Sequence, residues 1–167
     1  MALNAYLKLK GQKQGEIKGS VTQKGRENMI EVLAVSHEII SPRDAASGLP
    51  TGKRQHKPLV ITKPIDKATP LLAKILTTNE NVSEFELKFY AAQVKATAGI
   101  GQEINHYTIK LTNANIASIN FKMLNNRNPE LMKFPELEEV AFTYQKIEWT
   151  WTDGGIMADD DWEAPAI

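Results

Sequence analysis

Residues 140–151 read VAFTYQKIEWTW, and this stretch decides the fold class. It is rich in β-branched and aromatic residues, which favour strands. Its apolar residues fall on even positions up to Tyr144 and on odd positions from Ile147 onward. Because successive side chains of a strand point to opposite faces, a slip of one residue turns every later side chain over. The sequence therefore predicts a bulge or sharp bend near residues 145–146, as where a strand turns a barrel corner.

The same two-residue period recurs along most of the chain and predicts short strands. The runs that show it or are rich in β-forming residues are 3–10, 29–40, 59–62, 85–89, 107–111 and 116–123. One segment, residues 69–78, predicts a helix instead. Thr69 suits its N-cap, Pro70 suits its first helical position, and the following leucines and isoleucine form one apolar stripe. The 167 residues are thus expected to form one mainly β domain, a barrel or sandwich of two sheets with one α-helix packed on its side.

Composition excludes several classes of protein. The chain has 42% hydrophobic and 24% charged residues, no cysteine and no net charge. Its N-terminus is too polar for a signal peptide, and no apolar run reaches the length of a membrane span. Residues 1–57 hold ten Lys and Arg against five Asp and Glu, whereas residues 136–167 hold nine acids and one lysine. Because the acidic part would repel phosphate, this asymmetry favours self-association over nucleic-acid binding.

A long polar loop at residues 42–58 is the strongest candidate for function, since structureless loops of this length are uncommon in compact domains. The residues singled out in it are Gly48, Pro50, Gly52, Lys53, Arg54, His56 and Lys57. The run GLPTGKR at residues 48–54 invites a phosphate-loop interpretation, but its two glycines are one residue too close. Arg54 also stands where that motif needs Ser or Thr. The sequence therefore predicts no nucleotide site in the loop.

No residue pattern indicates catalysis, a cofactor or a bound metal. The histidines His37, His56 and His106 lack ligand spacing, and His37 falls on the apolar side of its strand, which is typical of a packed histidine. The acids at residues 159–161 lack the spacing of a calcium loop. We expect a protein that is not an enzyme.

Several segments, taken together and in order, resemble the haemolysin-coregulated protein (Hcp) family across nearly the whole chain. They read SGLPTGKRQHKPL, TKPIDKATPLLAKIL, FELKFY, HYTIKLTNANI, YQKIEWTW and ADDDW. The resemblance implies a structural subunit of the inner tube of the bacterial type VI secretion system. It implies hexameric rings that stack head to tail inside a contractile sheath, capped by a spike protein, and effector proteins carried in the pore. It also implies a protein made in the cytoplasm and later expelled from the cell without a signal peptide.

In such an assembly the loop at residues 42–58 resembles the element that reaches the next ring. An acidic counter-surface is expected in the C-terminal segment and at Glu136, Glu138 and Glu139. Ser36 matches a position that faces the lumen in the family, and its strand face supplies the candidate pore-lining residues Val32, Ala34, Ser36 and Glu38. Two alternatives share the fold class: a phage-like tail-tube protein and, less favoured, a monomeric small-ligand-binding β-barrel.

Overall fold

The computed structural model describes residues 4–92 and 103–163, so the predicted start of the first strand lies outside it. Within that part of the chain there are thirteen β-strands and one α-helix. They are β1 (Ala5–Gly11), β2 (Gly15–Ile17), β3 (Ile30–Val32), β4 (Ala34–Ser36), β5 (Ile39–Ile40), β6 (Gln55–His56), β7 (Leu59–Pro64), α1 (Thr69–Thr77), β8 (Val82–Ala92), β9 (Glu103–Thr112), β10 (Asn115–Lys122), β11 (Leu137–Thr143), β12 (Lys146–Trp151) and β13 (Ile156–Asp161).

Two antiparallel sheets pack face to face. The larger has the order β13-β12-β9-β8-β1-β2, with β3 also paired to β1, and the smaller has the order β10-β11-β7-β4. Alternate residues of most strands point inward and form one apolar core, in which the ring centroids of Phe85 and Phe142 lie 4.9 Å apart across the sheets. The predicted mainly β fold of two sheets is confirmed, and it is a sandwich.

The chain crosses between the sheets where its apolar parity slips. β11 belongs to the smaller sheet and β12 to the larger, and the two residues between them form the link. Phe142 and Ile147 are both fully buried, on opposite parities, because each faces the same core from a different sheet. The bend predicted near residues 145–146 is therefore present, one residue earlier than its centre.

A second crossing was not predicted. The expected single strand region at residues 29–40 is divided, with β3 in the larger sheet and β4 in the smaller. Leu33 is the single residue between them, and it is exposed. This crossing reverses which side chains of the segment face the core, with consequences for the predicted pore face described below.

The helix α1 packs against β10 and covers one side of the sandwich with Leu72 and Ile75. Its N-cap is Ala68, so the predicted cap at Thr69 is wrong by one residue. The Asp66 carboxylate instead accepts a hydrogen bond from the Ala68 backbone N–H at 2.9 Å, and the Thr69 hydroxyl accepts one from the Asp66 N–H at 3.1 Å. The first of these bonds satisfies a donor that a helix start otherwise leaves free.

Candidate functional site: an arm and its clamp

The long loop is a hairpin, which we call the arm (residues 39–56). β5 pairs with β6, and a further bridge joins Arg43 to Pro50. Within the predicted loop, residues 42–58, only Gln55–His56 form a strand and the bridge between Arg43 and Pro50 is isolated, so most of the loop is irregular. Its glycines and prolines shape a turn and interrupt the ladder, but they do not prevent pairing of the two sides.

The arm ends in a turn closed by Asp44. Its carboxylate accepts hydrogen bonds from the Ser47 N–H at 2.7 Å and from the Ser47 hydroxyl at 2.6 Å, which hold the pKa of Asp44 below its ordinary value. Gly48 completes the turn with φ of 72°, a left-handed conformation that suits glycine. The next residue, Leu49, is 65% exposed. The tip is thus a formed turn that presents an apolar side chain to solvent.

The root of the arm is held against β13 by charge. Arg54 donates through Nε and Nη2 to the two carboxylate oxygens of Asp160 at 2.6 and 2.8 Å, and Nη2 also reaches the Asp161 carbonyl at 3.0 Å. His56 Nε2 lies 2.7 Å from the same carboxylate. The Arg54 guanidinium, with the smaller help of His56, keeps the pKa of Asp160 below its ordinary value against the effect of burial. The basic loop and the acidic C-terminal strand therefore pair within one chain.

The Tyr144 side chain joins this pair to the sheet crossing. Its hydroxyl lies 2.6 Å from His37 Nε2 and 2.8 Å from His56 Nδ1, and burial raises its pKa. The Trp162 ring stacks on His56, and its indole N–H donates to the Tyr144 carbonyl. We call this set the clamp; its members are His37, Arg54, His56, Tyr144, Asp160 and Trp162.

The predicted loop residues divide into two groups. Gly48, Pro50, Gly52 and Lys53 are exposed along the arm, and Lys57 is exposed directly after it. Arg54 and His56 instead turn inward to the clamp, with the His56 side chain only 2% exposed.

Sequence reasoning did not connect these residues to Tyr144 or His37. The one signal for the contact was the opposite charge of the loop and of the ADDDW segment. Glu138, expected as part of the acidic counter-surface, is instead buried, and its carboxylate lies 2.6 Å from Lys63 Nζ.

The predicted pore face is wrong at Val32, which is 1% exposed and packs in the core. The crossing at Leu33 is the reason, because Val32 belongs to the larger sheet and its inward side. Ala34, Ser36 and Glu38 are exposed. Pairing extends their face across the smaller sheet in two rows of mostly short side chains. One row is Ala34, Thr62, Glu139 and Asn120, and the other is Ser36, Val60, Ala141 and Ser118.

In the described ranges no group of three or more metal-ligating side chains converges on one point. His37 and His56, distant in sequence, meet at one hydroxyl, whereas His106 lies beside Trp151. None of the helices in residues 4–92 and 103–163 has the length and hydropathy to cross a membrane.

Comparison with known proteins gives a consistent picture. The family model for "Type VI secretion system effector, Hcp" matches residues 6–151. The "Major exported protein" of Pseudomonas aeruginosa is 41% identical over 174 residues, which cover 99% of this chain and 98% of that protein.

Among solved structures, a mutant Hcp1 from the E. coli EAEC 042 pathovar is 36% identical, with a TM-score of 0.82 over 96% of this chain and 99% of that one. The secreted protein Hcp3 from Pseudomonas aeruginosa is 34% identical, with a TM-score of 0.74 over 95% and 99%. The chain therefore belongs to the Hcp family of type VI secretion proteins.

Proposed function

We propose that this chain is a tube subunit of a bacterial type VI secretion system, and that copies of it close into hexameric rings which stack head to tail. The family match over residues 6–151 and the solved Hcp structures support the tube role. A ring needs a side-to-side contact whose rotation closes, whereas a stack needs an end-to-end contact that does not close. The arm is suited to the second contact.

The observation that carries the stacking role is the shape of the arm. It extends beyond the paired ends of β4 and β7 as a hairpin with a closed turn and an exposed leucine at its tip. A segment that is already ordered loses little conformational entropy when it docks, so a small contact suffices. The arm therefore reaches a neighbouring ring as a formed element.

The outward face of the smaller sheet supports a second part of the proposal, that it lines the pore. Its two rows consist mainly of Ala, Ser, Thr, Val and Asn, and Ala34, Ser36, Ser118 and Asn120 among them are exposed. Short side chains make few strong contacts, so effector proteins can enter the lumen and later leave it. Ala34, Ser36 and Glu38 are the residues of this face that we assign to the lumen.

The remaining partners follow from the same role. The tube is assembled in the cytoplasm, surrounded by a contractile sheath and capped by a spike, and is expelled with its cargo. Export is supported by the name of the Pseudomonas relative, "Major exported protein". A small-ligand barrel is less favoured because side chains such as Phe85 and Phe142 fill the space between the sheets.

Mass measurement in solution and negative-stain electron microscopy test the tube role. We expect a six-subunit species and stacked rings; a monomer at all concentrations up to about 100 μM, a range set by weak protein association, would contradict the proposal.

Lys53→Glu tests the stacking role, because Lys53 is exposed on the arm whereas reversal of Arg54 would also break the clamp. Rings should persist and stacks should shorten. Lys24→Glu, an equal charge reversal at an exposed residue of another loop, is the control. Stacks of unchanged length in the Lys53 variant would remove the arm from the mechanism.

For the pore face, Ser36→Trp should leave rings intact and reduce effector co-purification, with Ser36→Ala as control. Full effector retention in the tryptophan variant would place Ser36 outside the lumen.

A further inference from the structure

We infer that acid opens the clamp. Its two histidines accept one extra proton without loss of a hydrogen bond, and a second proton frees the arm from β13. The clamp itself is a property of one subunit. Its consequence, that ring stacking weakens in acid, rests on the proposed function of the arm.

Hydrogen counting at the Tyr144 hydroxyl is the first step. The hydroxyl has one hydrogen but lies within bonding distance of two imidazole nitrogens, at 2.6 and 2.8 Å. It can donate to only one of them, so the other ring must donate to it. With both rings neutral this is satisfied in one direction, in which His37 donates to Tyr144, Tyr144 donates to His56, and His56 donates to Asp160.

A single added proton is tolerated. If His56 takes it on Nδ1, that nitrogen donates to the hydroxyl, and the hydroxyl turns its hydrogen to His37 Nε2. His56 Nε2 keeps its bond to Asp160 in both arrangements. All three bonds survive once the His37 hydrogen moves from Nε2 to Nδ1, on the side where His37 bonds to the Lys57 backbone.

A second proton has no such solution. Both rings then donate to one oxygen, whose own hydrogen has lost both acceptors, and two cations flank it. The carboxylate of Asp160 is already bonded to Arg54 and His56, so it offers little further compensation. The other charged groups around the pair are Asp161, which receives Arg54 through its carbonyl, and the exposed pair Glu38 and Lys57 at the arm root. None of these contacts His37 Nε2.

The direction of titration agrees with this geometry. Burial, followed by the charge of His56, lowers the pKa of His37 below its ordinary 6.5, against a smaller opposing effect of the Lys57 backbone. A His37 released with the arm regains the ordinary value and so binds protons more readily than the clamped one. The clamp is therefore at full strength above pH 6.5 and weakens as pH falls below it. The low pKa of Asp160 adds a separate loss only below 3.8.

Hydrogen–deuterium exchange of the arm at pH 7.5 and 5.5, corrected for intrinsic chemical rates, tests the inference at a dilution where sedimentation shows unstacked protein. Arm amides should lose protection at pH 5.5 by up to about tenfold, because pH 5.5 lies one unit below the ordinary pKa of 6.5 that a released His37 regains. Amides of β8 should not change. His37→Gln, which does not titrate, should abolish the pH response, and Tyr144→Phe should expose the arm already at pH 7.5.

Arm protection equal at both pH values, or an undiminished response in His37→Gln, would overturn the inference. Electron microscopy at the two pH values then separates it from the stacking role. Shorter stacks at pH 5.5, absent in His37→Gln, support the consequence. If the arm opens at pH 5.5 while the stacks keep their length, the consequence for stacking is overturned. The inference that acid opens the clamp within one subunit is then still supported.

Discussion

Removal of the Lys63 ammonium should destabilise this protein more than any exposed charge change. Lys63 lies on β7 with no exposed surface, and its Nζ is bonded to Glu138 at 2.6 Å, Asp66 at 2.9 Å and the Pro64 carbonyl at 2.9 Å. The ammonium thereby joins the smaller sheet to the start of the helix. Lys63→Met keeps the length and apolar stem of the side chain and removes only the charge and donors.

The expected loss of stability comes from the two carboxylates that Lys63→Met leaves without a cation. Glu138 is 1% exposed, and with Lys63 gone its carboxylate and that of Asp66 remain in the interior without a cation. Breaking a buried ion pair from one side costs about 3–5 kcal/mol. For a chain of this size each kcal/mol lowers the melting temperature by about 2–4 °C, so a fall of roughly 10 °C is expected. Adding Glu138→Gln to Lys63→Met should restore part of the loss, because it removes one of the stranded charges.

Thermal unfolding, followed by circular dichroism at fixed protein concentration, measures the fall in melting temperature. Lys122→Met is the matched control, since Lys122 of β10 pairs with Glu139 of β11 at 3.2 Å in the same sheet but is 47% exposed. An exposed pair contributes about 0–1 kcal/mol, so the control should melt within about 3 °C of the unchanged protein. A fall of less than 3 °C for Lys63→Met, or an equal fall in the control, would refute the reasoning.

Three further predictions concern the backbone, the core and acid. Gly19→Ala should lower the melting temperature sharply, because its Cβ would lie 2.2 Å from a backbone carbonyl oxygen, whereas Gly52→Ala meets nothing within 4 Å and should not. Val32→Ala should cost roughly 1–3 kcal/mol in urea unfolding and Ser36→Ala almost nothing, a difference that would vanish if Val32 lined a pore. The pKa of Glu80 is held below 4.5 chiefly by the Gln14 N–H, so the stability that the Glu80 carboxylate contributes is present above pH 4.5 and lost as pH falls. Glu80→Gln should therefore reduce the fall in melting temperature with acid, and an unchanged dependence of melting temperature on pH would contradict this.

Local patterns predicted the elements of this fold well. Alternation fixed most strand positions, and Pro70 marked the start of the helix within one residue. The parity slip after Tyr144 located a sheet crossing because both strands beside it show several apolar residues. The crossing at Leu33 gave no such signal, since β3 and β4 are three residues each and their apolar residues run on without a break.

Contacts between distant segments explain what sequence reasoning missed. Arg54 and Asp160 are 106 positions apart, and no spacing rule relates them. The arm's pairing likewise depends on the Asp44 turn bringing its two sides together, whereas its glycines and prolines are typical of irregular loops. The buried pair was within reach of the sequence, because Lys63 follows Leu59 and Ile61 on the inward parity, and Glu138 precedes Val140 and Phe142 on theirs.

Short crossings between the sheets also determine how the subunit carries load. A sandwich held only by side chains can slide along its apolar interface under shear. Here the links at residue 33 and residues 144–145 are one and two residues long, and a residue spans at most about 3.5 Å when extended. Sliding one sheet along the other would stretch covalent backbone almost at once. A push along the strands is therefore transmitted through both sheets together, and the subunit behaves as a single stiff block.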